Sequence, residues 1–280
     1  MEADRQPSLG AAPGVGYGAV SSRQPLTQWA GAVVSDAAAE IAEEVPVAFV
    51  YGARSHAVMM ATPADLEDLA VGFTLSEGIA QRSEIGEVRV ARHSRGIELT
   101  IDVPLAVAER LATRTRAIAG RTGCGLCGVD AIDEAVRTPV AVERSMRVRP
   151  TALYTAGEAL KAHQPLNAAT HAVHAAAWAT PDGVLRVVRE DVGRHNALDK
   201  VLGALWRAGT DPATGFVVIT SRASFELVQK TTAAGVQLLA AVSRPTGLAV
   251  RLADTAGLTL VTVLRGESAH VHTHPERLSA

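Results

Sequence analysis

Cysteine is nearly absent from this chain: 280 residues carry two. A secreted disulfide scaffold uses more of them, dispersed along the sequence, so that class is excluded. Long apolar runs are missing as well. The longest are short stretches such as Leu258–Leu264, whereas a membrane-spanning helix needs about 20 apolar residues. Charge of one sign is missing too: 27 Lys and Arg face 29 Asp and Glu, a net charge of −2. No global field draws the chain to nucleic acid or to an anionic membrane. Residues 1–25 lack the apolar stretch of an export signal and hold Glu2, Asp4 and several Gly and Pro, which implies a cytoplasmic protein. No internal repeat is apparent. What remains is ordinary globular material, 48% hydrophobic and 20% charged, of a length for one or two domains.

Residues 1–25 read as a disordered tail. Gly14, Gly16 and Gly18 mimic part of a dinucleotide fingerprint, but no strand precedes them and no helix follows. Residues 26–120 read as a small α+β domain. Val47–Tyr51 and His56–Ala61 flank the turn Gly52–Ser55 as a hairpin. Thr62 and Pro63 open a helix as N-cap and first residue, continuing through Phe73 to Gly78. Strands follow near 86–92 and 96–103, then a short helix over about 105–113. Residues 121–128 form a mobile loop, and 129–280 an α/β domain with a largely parallel sheet flanked by helices. Its strands are expected at 171–179, 184–189, 215–220, 237–242 and 258–264. Its helices are expected at 154–163, 196–208, 224–234 and 246–256.

The paired thiols are the first chemical candidate. Cys124 and Cys127 sit among three glycines, with Arg121 adjacent and Arg114 and Arg116 near in sequence. Positive charge raises the thiolate fraction. A zinc site would need two further ligands from distant histidines. A dithiol redox site, a persulfide carrier and an inert pair are the other readings. The second candidate is Arg189 to Asn196, with Asp191, Arg194, His195 and Asn196 between a strand and a helix start. Open α/β sheets bind ligands there, and free backbone N–H groups favour phosphate. Asn196 also reads as the helix N-cap. The third is Thr220 to Ser224, where Ser221, Arg222 and Ser224 repeat the strand-to-helix setting. Together the two turns point to a nucleotide-like anion. Arg265-Gly266-Glu267-Ser268 is on its own a polar turn. His270, His272 and His274 alternate, so in a strand they would share one face and could bind metal, though a solvated C-terminal tail accounts for them better. A zinc deaminase is excluded, because its His-x-Glu must precede a Pro-Cys-x-x-Cys that opens a later helix. Here the cysteines come before the sheet.

Five stretches together resemble one family. They are Ser55 to Pro63 with Asp65–Asp68 and Gly72–Ile79, Arg121 to Gly128, Glu190 to Lys200, Thr220 to Lys230, and His274 to Leu278. In this order they are similar to the FdhD-type formate dehydrogenase accessory sulfurtransferases, from about residue 26 to the end. The resemblance implies persulfide sulfur taken from a cysteine desulfurase and passed to the molybdenum (or tungsten) bis(molybdopterin guanine dinucleotide) cofactor that formate dehydrogenase requires. It makes Cys124 the persulfide carrier and Cys127 its partner. It puts cofactor binding on Val263, Leu264, Arg265, Gly266, Glu267 and Ser268. It further implies a cytidine-deaminase-like, mostly parallel sheet without zinc or other permanent metal, a smaller N-terminal domain, and a homodimer. A non-catalytic chaperone that binds the guanylated cofactor is the alternative function.

Overall fold

The computed structural model describes residues 18–111, 138–143 and 145–279. The chain opens with a two-stranded antiparallel ribbon, β1 (Ser21–Ala30) and β2 (Val33–Ala42). Residues 21–25, expected in a tail, are therefore strand, with Ser21 opposite Ala42 and Pro25 opposite Ala38. Proline is tolerated there because each strand of a ribbon has one unpaired edge.

A four-stranded sheet follows, in the order β4-β3-β6-β5. Its strands are β3 (Val45–Tyr51), β4 (Arg54–Ala61), β5 (Val88–His93) and β6 (Gly96–Ile101). Alternation along β3 sends Val45, Val47, Phe49 and Tyr51 inward, where they meet Leu66, Leu69, Ala70 and Phe73 of helix α1 (Leu66–Ser76). Helix α1 starts later than the sequence indicates. Asp65, in the left-handed region with φ 51°, occupies the cap position without a side-chain cap bond. Thr62 is not the cap, because its groups are taken by a partner distant in sequence: its N–H donates to Asp191 and its hydroxyl accepts from the N–H of Val192. Helix α2 runs over 105–111 among the described residues.

The large sheet has six strands in the order β12-β11-β10-β9-β7-β8. They are β7 (His174–Ala179), β8 (Leu185–Asp191), β9 (Phe216–Ile219), β10 (Leu238–Ala241), β11 (Thr259–Arg265) and β12 (Ser268–Thr273). The sheet is mixed rather than mostly parallel. Only β9–β10 and β10–β11 pair in parallel, while β7–β8, β7–β9 and β11–β12 are antiparallel. The cause is local. Hairpins at Pro181–Gly183 and at Gly266 leave too little chain for a crossover, which takes a dozen or more residues.

Helices α5 (Arg194–Arg207), α6 (Phe225–Ala233) and α7 (Gly247–Ala256) cover one face of this sheet around Leu198, Leu202, Leu227, Leu239 and Leu260. Helix α3 (Pro150–Ala162) covers the other through Leu153, Ala156 and Leu160, and α4 (Pro165–Thr170) follows it. The two sheets are joined through α1 and α5. A Cβ built on Gly72 would lie 1.8 Å from the Asp199 carbonyl oxygen, and one on Gly203 1.9 Å from that of Asp68. At the far edge, fully buried Arg277 donates to the Glu143 carbonyl, to Thr259 Oγ1 and to Gln237 Oε1, and Val148 bridges to Leu278.

Candidate anion site at the carboxyl edge of the large sheet

Because β7 opposes both β8 and β9, strands β8, β9, β10 and β11 all run the same way, and their carboxyl ends share one edge. Helices α5, α6 and α7 begin at that edge, immediately after β8, β9 and β10. Backbone bonds stitch the turns into a row. Thr220 N–H donates to Ala175 O, Val242 N–H to Ile219 O and Val263 N–H to Ser243 O. Helix starts present unpaired N–H groups and the positive dipole end, which suits an anion.

The first turn divides into residues that hold it and two that point outward beside Glu226, whose carboxylate stands 3.8 Å from an Arg194 terminal nitrogen. Asp191 is fully buried and accepts from the N–H of Thr62 and Gly193 and from Asn196 Nδ2, at 3.0, 2.8 and 3.0 Å. The ammonium of Lys200, also fully buried, stands 2.6 Å away. Asn196 is not the cap. It lies inside the first turn of α5, Gly193 takes the cap position, and its amide donates to Asp191 and to Met60 O. Arg189 pairs with Asp65 and Asp68, and the Glu190 carboxylate accepts from the N–H of Leu166 and Asn167 at the start of α4. The outward groups are Arg194 and His195. Arg194 Nε is buried without a hydrogen-bond partner. The Glu226 carboxylate stands 2.7 Å from His195 Nε2, off the axis along which that nitrogen would donate.

Burial holds the His195 imidazole below its usual range. Glu226 opposes this, and the charges of Arg194 and Lys230 add to it. His174, at the amino end of β7, is lowered by burial and then by Arg194.

In the second turn Ser221 is buried, its hydroxyl donating to the Arg222 carbonyl. Arg222 is exposed. Ser224 occupies the cap position of α6, yet its hydroxyl makes no cap bond and is buried without a partner. The third turn holds Val263–Ser268. Val263 has φ 54° and Gly266 φ 53°, and the β11–β12 pairing shifts register between Thr262 and Arg265. A β-branched residue in the left-handed region costs on the order of 1–3 kcal/mol. The bond from Val263 N–H to Ser243 O holds it there. Leu264 faces the core, and Arg265, Gly266, Glu267 and Ser268 are exposed.

The structure thus brings Asp191–Asn196, Ser221–Ser224 and Val263–Ser268 to one edge. Cys124 and Cys127, with Arg114, Arg116 and Arg121, lie outside the described residues. His270 and His272 share a face of β12, ring centres 6.5 Å apart, while His274 leaves the strand at φ 48°. No group of three or more metal-ligating side chains occurs among the described residues. Glu226 and His174 were not legible as site residues, since neither lies in the turns that carry the pattern.

A sequence model of the FdhD/NarQ family matches residues 42–279. The chain belongs to the FdhD/NarQ family. It is 49% identical over 239 residues to the sulfur carrier protein FdhD of Bordetella petrii, covering 85% of this chain and 86% of that one. It is 50% identical to the protein of that name from Xanthomonas oryzae pv. oryzae, covering 85% of each chain. A crystal structure from Desulfotalea psychrophila, of a protein named as a formate dehydrogenase accessory protein, superposes with a TM-score of 0.74 at 24% identity. It covers 93% of this chain and all of that one. The two chains share this mixed α/β fold. No helix among the described residues is long and apolar enough to cross a membrane.

Proposed function

We propose that this protein is a sulfurtransferase of the cytoplasm that serves formate dehydrogenase. In this reading the Cys124 thiolate attacks the outer sulfur of a cysteine desulfurase persulfide. A new S–S bond forms on Cys124, and the desulfurase thiolate leaves. Cys127 is the partner thiol. The sulfur then passes to the molybdenum bis(molybdopterin guanine dinucleotide), which is substrate here, before that cofactor enters formate dehydrogenase. The chain acts as a homodimer, and its large sheet is of the cytidine-deaminase kind without the zinc.

The observation that carries the reading is the row of turns at one sheet edge, on a chain about half identical to sulfur carrier proteins. Arg194 Nε and Ser224 Oγ are buried and unpartnered there, and a polar atom in that state costs about 1–3 kcal/mol until something binds it. Both are donors of the kind that a phosphate oxygen accepts from. Arg194, His195, Arg222, Ser224, Val263 and Arg265–Ser268 are the ligand-facing groups, with Ser221 and core-facing Leu264 behind them. Asp191 and Asn196, whose polar atoms are used internally, hold the turn in place. Mass spectrometry after incubation with a desulfurase and cysteine tests the carrier role, the expected result being one added sulfur on Cys124. Calorimetry with GDP, comparing the native chain with Arg194→Ala and Arg222→Ala, tests the edge. Unchanged affinity in both variants would put the anion elsewhere.

A further inference from the structure

Glu226 sits in the first turn of helix α6, where an acidic side chain is commonplace because it complements the positive end of the helix dipole. This one reaches across to the next helix. Its carboxylate stands 2.7 Å from His195 Nε2 and 3.8 Å from a terminal nitrogen of Arg194, both in the first turn of α5. Among the described residues it is the one carboxylate within ion-pair distance of either side chain. Neither contact is a hydrogen bond. The first is off the donor axis, leaving His195 Nε2 buried without a partner, and the second is too long. Arg194 Nε is unpartnered as well. Glu226 therefore opposes the charge of these groups without satisfying their donors. Its side chain is 43% exposed, so it can turn out to water with little loss of hydration.

The charges that act on His195 come from both helices: Glu226 and Lys230 from α6, and Arg194 from its own α5. Lys230 is not open to a ligand, since Asp199 and Glu77 hold its ammonium at 2.9 and 2.8 Å. His174, at the amino end of β7, also feels Arg194. Burial outweighs Glu226 and keeps the His195 imidazole below its usual range, hence uncharged at about pH 7. An anion that approaches Arg194 and His195 meets the like charge of Glu226 at the same nitrogens. A phosphoryl group outcompetes it, bringing about two charges and three acceptor oxygens against a single charge. The carboxylate then moves outward. The imidazole is left beside a stronger anion, which favours the imidazolium. Its added proton comes from solvent, and no other bond forms or breaks. A singly charged anion gains too little to do the same.

We propose that Glu226 is a built-in counter-anion, which faces Arg194 and His195 while the edge is empty, yields them to a dianionic group, and so couples binding to the uptake of a proton by His195. The proposal rests on the edge being an anion site and adds the residue that sets its charge preference. Glu226 acts through the two donors and is a positioning residue. Calorimetric titrations of the full chain with GDP compare the native protein with Glu226→Gln, Glu226→Ala and His195→Gln. They span about pH 6 to pH 8, the interval in which histidine titrates. Both Glu226 variants are expected to bind GDP about tenfold tighter, a modest share of the penalty for like charges in contact. A purely structural role in the first turn predicts no gain. Relative to His195→Gln, native binding should strengthen as pH falls, the titration of GDP itself being common to both proteins. In buffers of different ionisation enthalpy at about pH 7, the native chain should take up more protons on binding than His195→Gln. Affinity at or below native in both Glu226 variants overturns the counter-anion and leaves the anion site standing. Identical pH slopes in the native chain and His195→Gln overturn the proton uptake. A native chain that does not bind GDP overturns the anion site itself, and the counter-anion with it.

Discussion

Gly72 and Gly203 are each other's clearance. A Cβ on either would sit within 2 Å of backbone on the opposite helix, 1.8 Å from Asp199 O and 1.9 Å from Asp68 O. Helices α1 and α5 therefore meet backbone to backbone, and the two sheets are held as one body. Gly203→Ala is expected to be more damaging than ordinary overpacking, which costs about 1–3 kcal/mol, because no side chain can yield. Denaturant unfolding measures it. A loss below about 1 kcal/mol, the mean for point variants, would mean that the helices separate freely.

Asp191 and Lys200 should behave as a pair that is harmful to break and less harmful to remove. Asp191→Ala leaves a fully buried ammonium, with an expected loss of about 3–5 kcal/mol. The double variant Asp191→Ala/Lys200→Met should recover part of that loss. If its unfolding free energy falls by the sum of the single losses, the two side chains act independently.

Cys124→Ala should abolish formate dehydrogenase maturation in cells, read as formate dehydrogenase activity in a strain that carries only this variant. Active formate dehydrogenase in a strain carrying only this variant would refute Cys124 as the carrier.

The histidines at the sheet edge should set a pH dependence. Burial depresses His195 and His174 below 6.5, with Arg194 adding to it in both and Glu226 opposing it in His195. The unfolded chain then binds more protons just below that value, so stability rises with pH through this interval and is complete above it. Denaturant midpoints should fall as pH drops from about 7 toward about 5, the range over which histidine titrates. The fall should be smaller in His174→Gln/His195→Gln. Identical slopes in the two proteins would assign the dependence to other groups.

What the sequence disclosed was local. Alternation in Val47–Tyr51 and His56–Ala61 located a real hairpin, and the two helix-start motifs did reach one edge. What it hid was long-range. Thr62 looked like a cap because a cap is a local device, and its actual partner lies 129 residues away. The Asp191–Lys200 pair has no spacing signature. The sheet's mixed direction turns on two hairpins whose turns were visible but whose effect on strand order was not.

Arg277 bears on how the chain is made. Its guanidinium is fully buried and braces Glu143, Gln237 and Thr259, all of which leave the ribosome before it does. Val148 likewise waits for Leu278 and Ser279. Glu143 and Val148 thus emerge long before their clasp, and during translation the carbonyl of Glu143 must remain hydrated. Closure of that edge comes late, after residue 277 has been added. A nascent chain stalled short of residue 277 would present an open flank of β11 and β10 to chaperones.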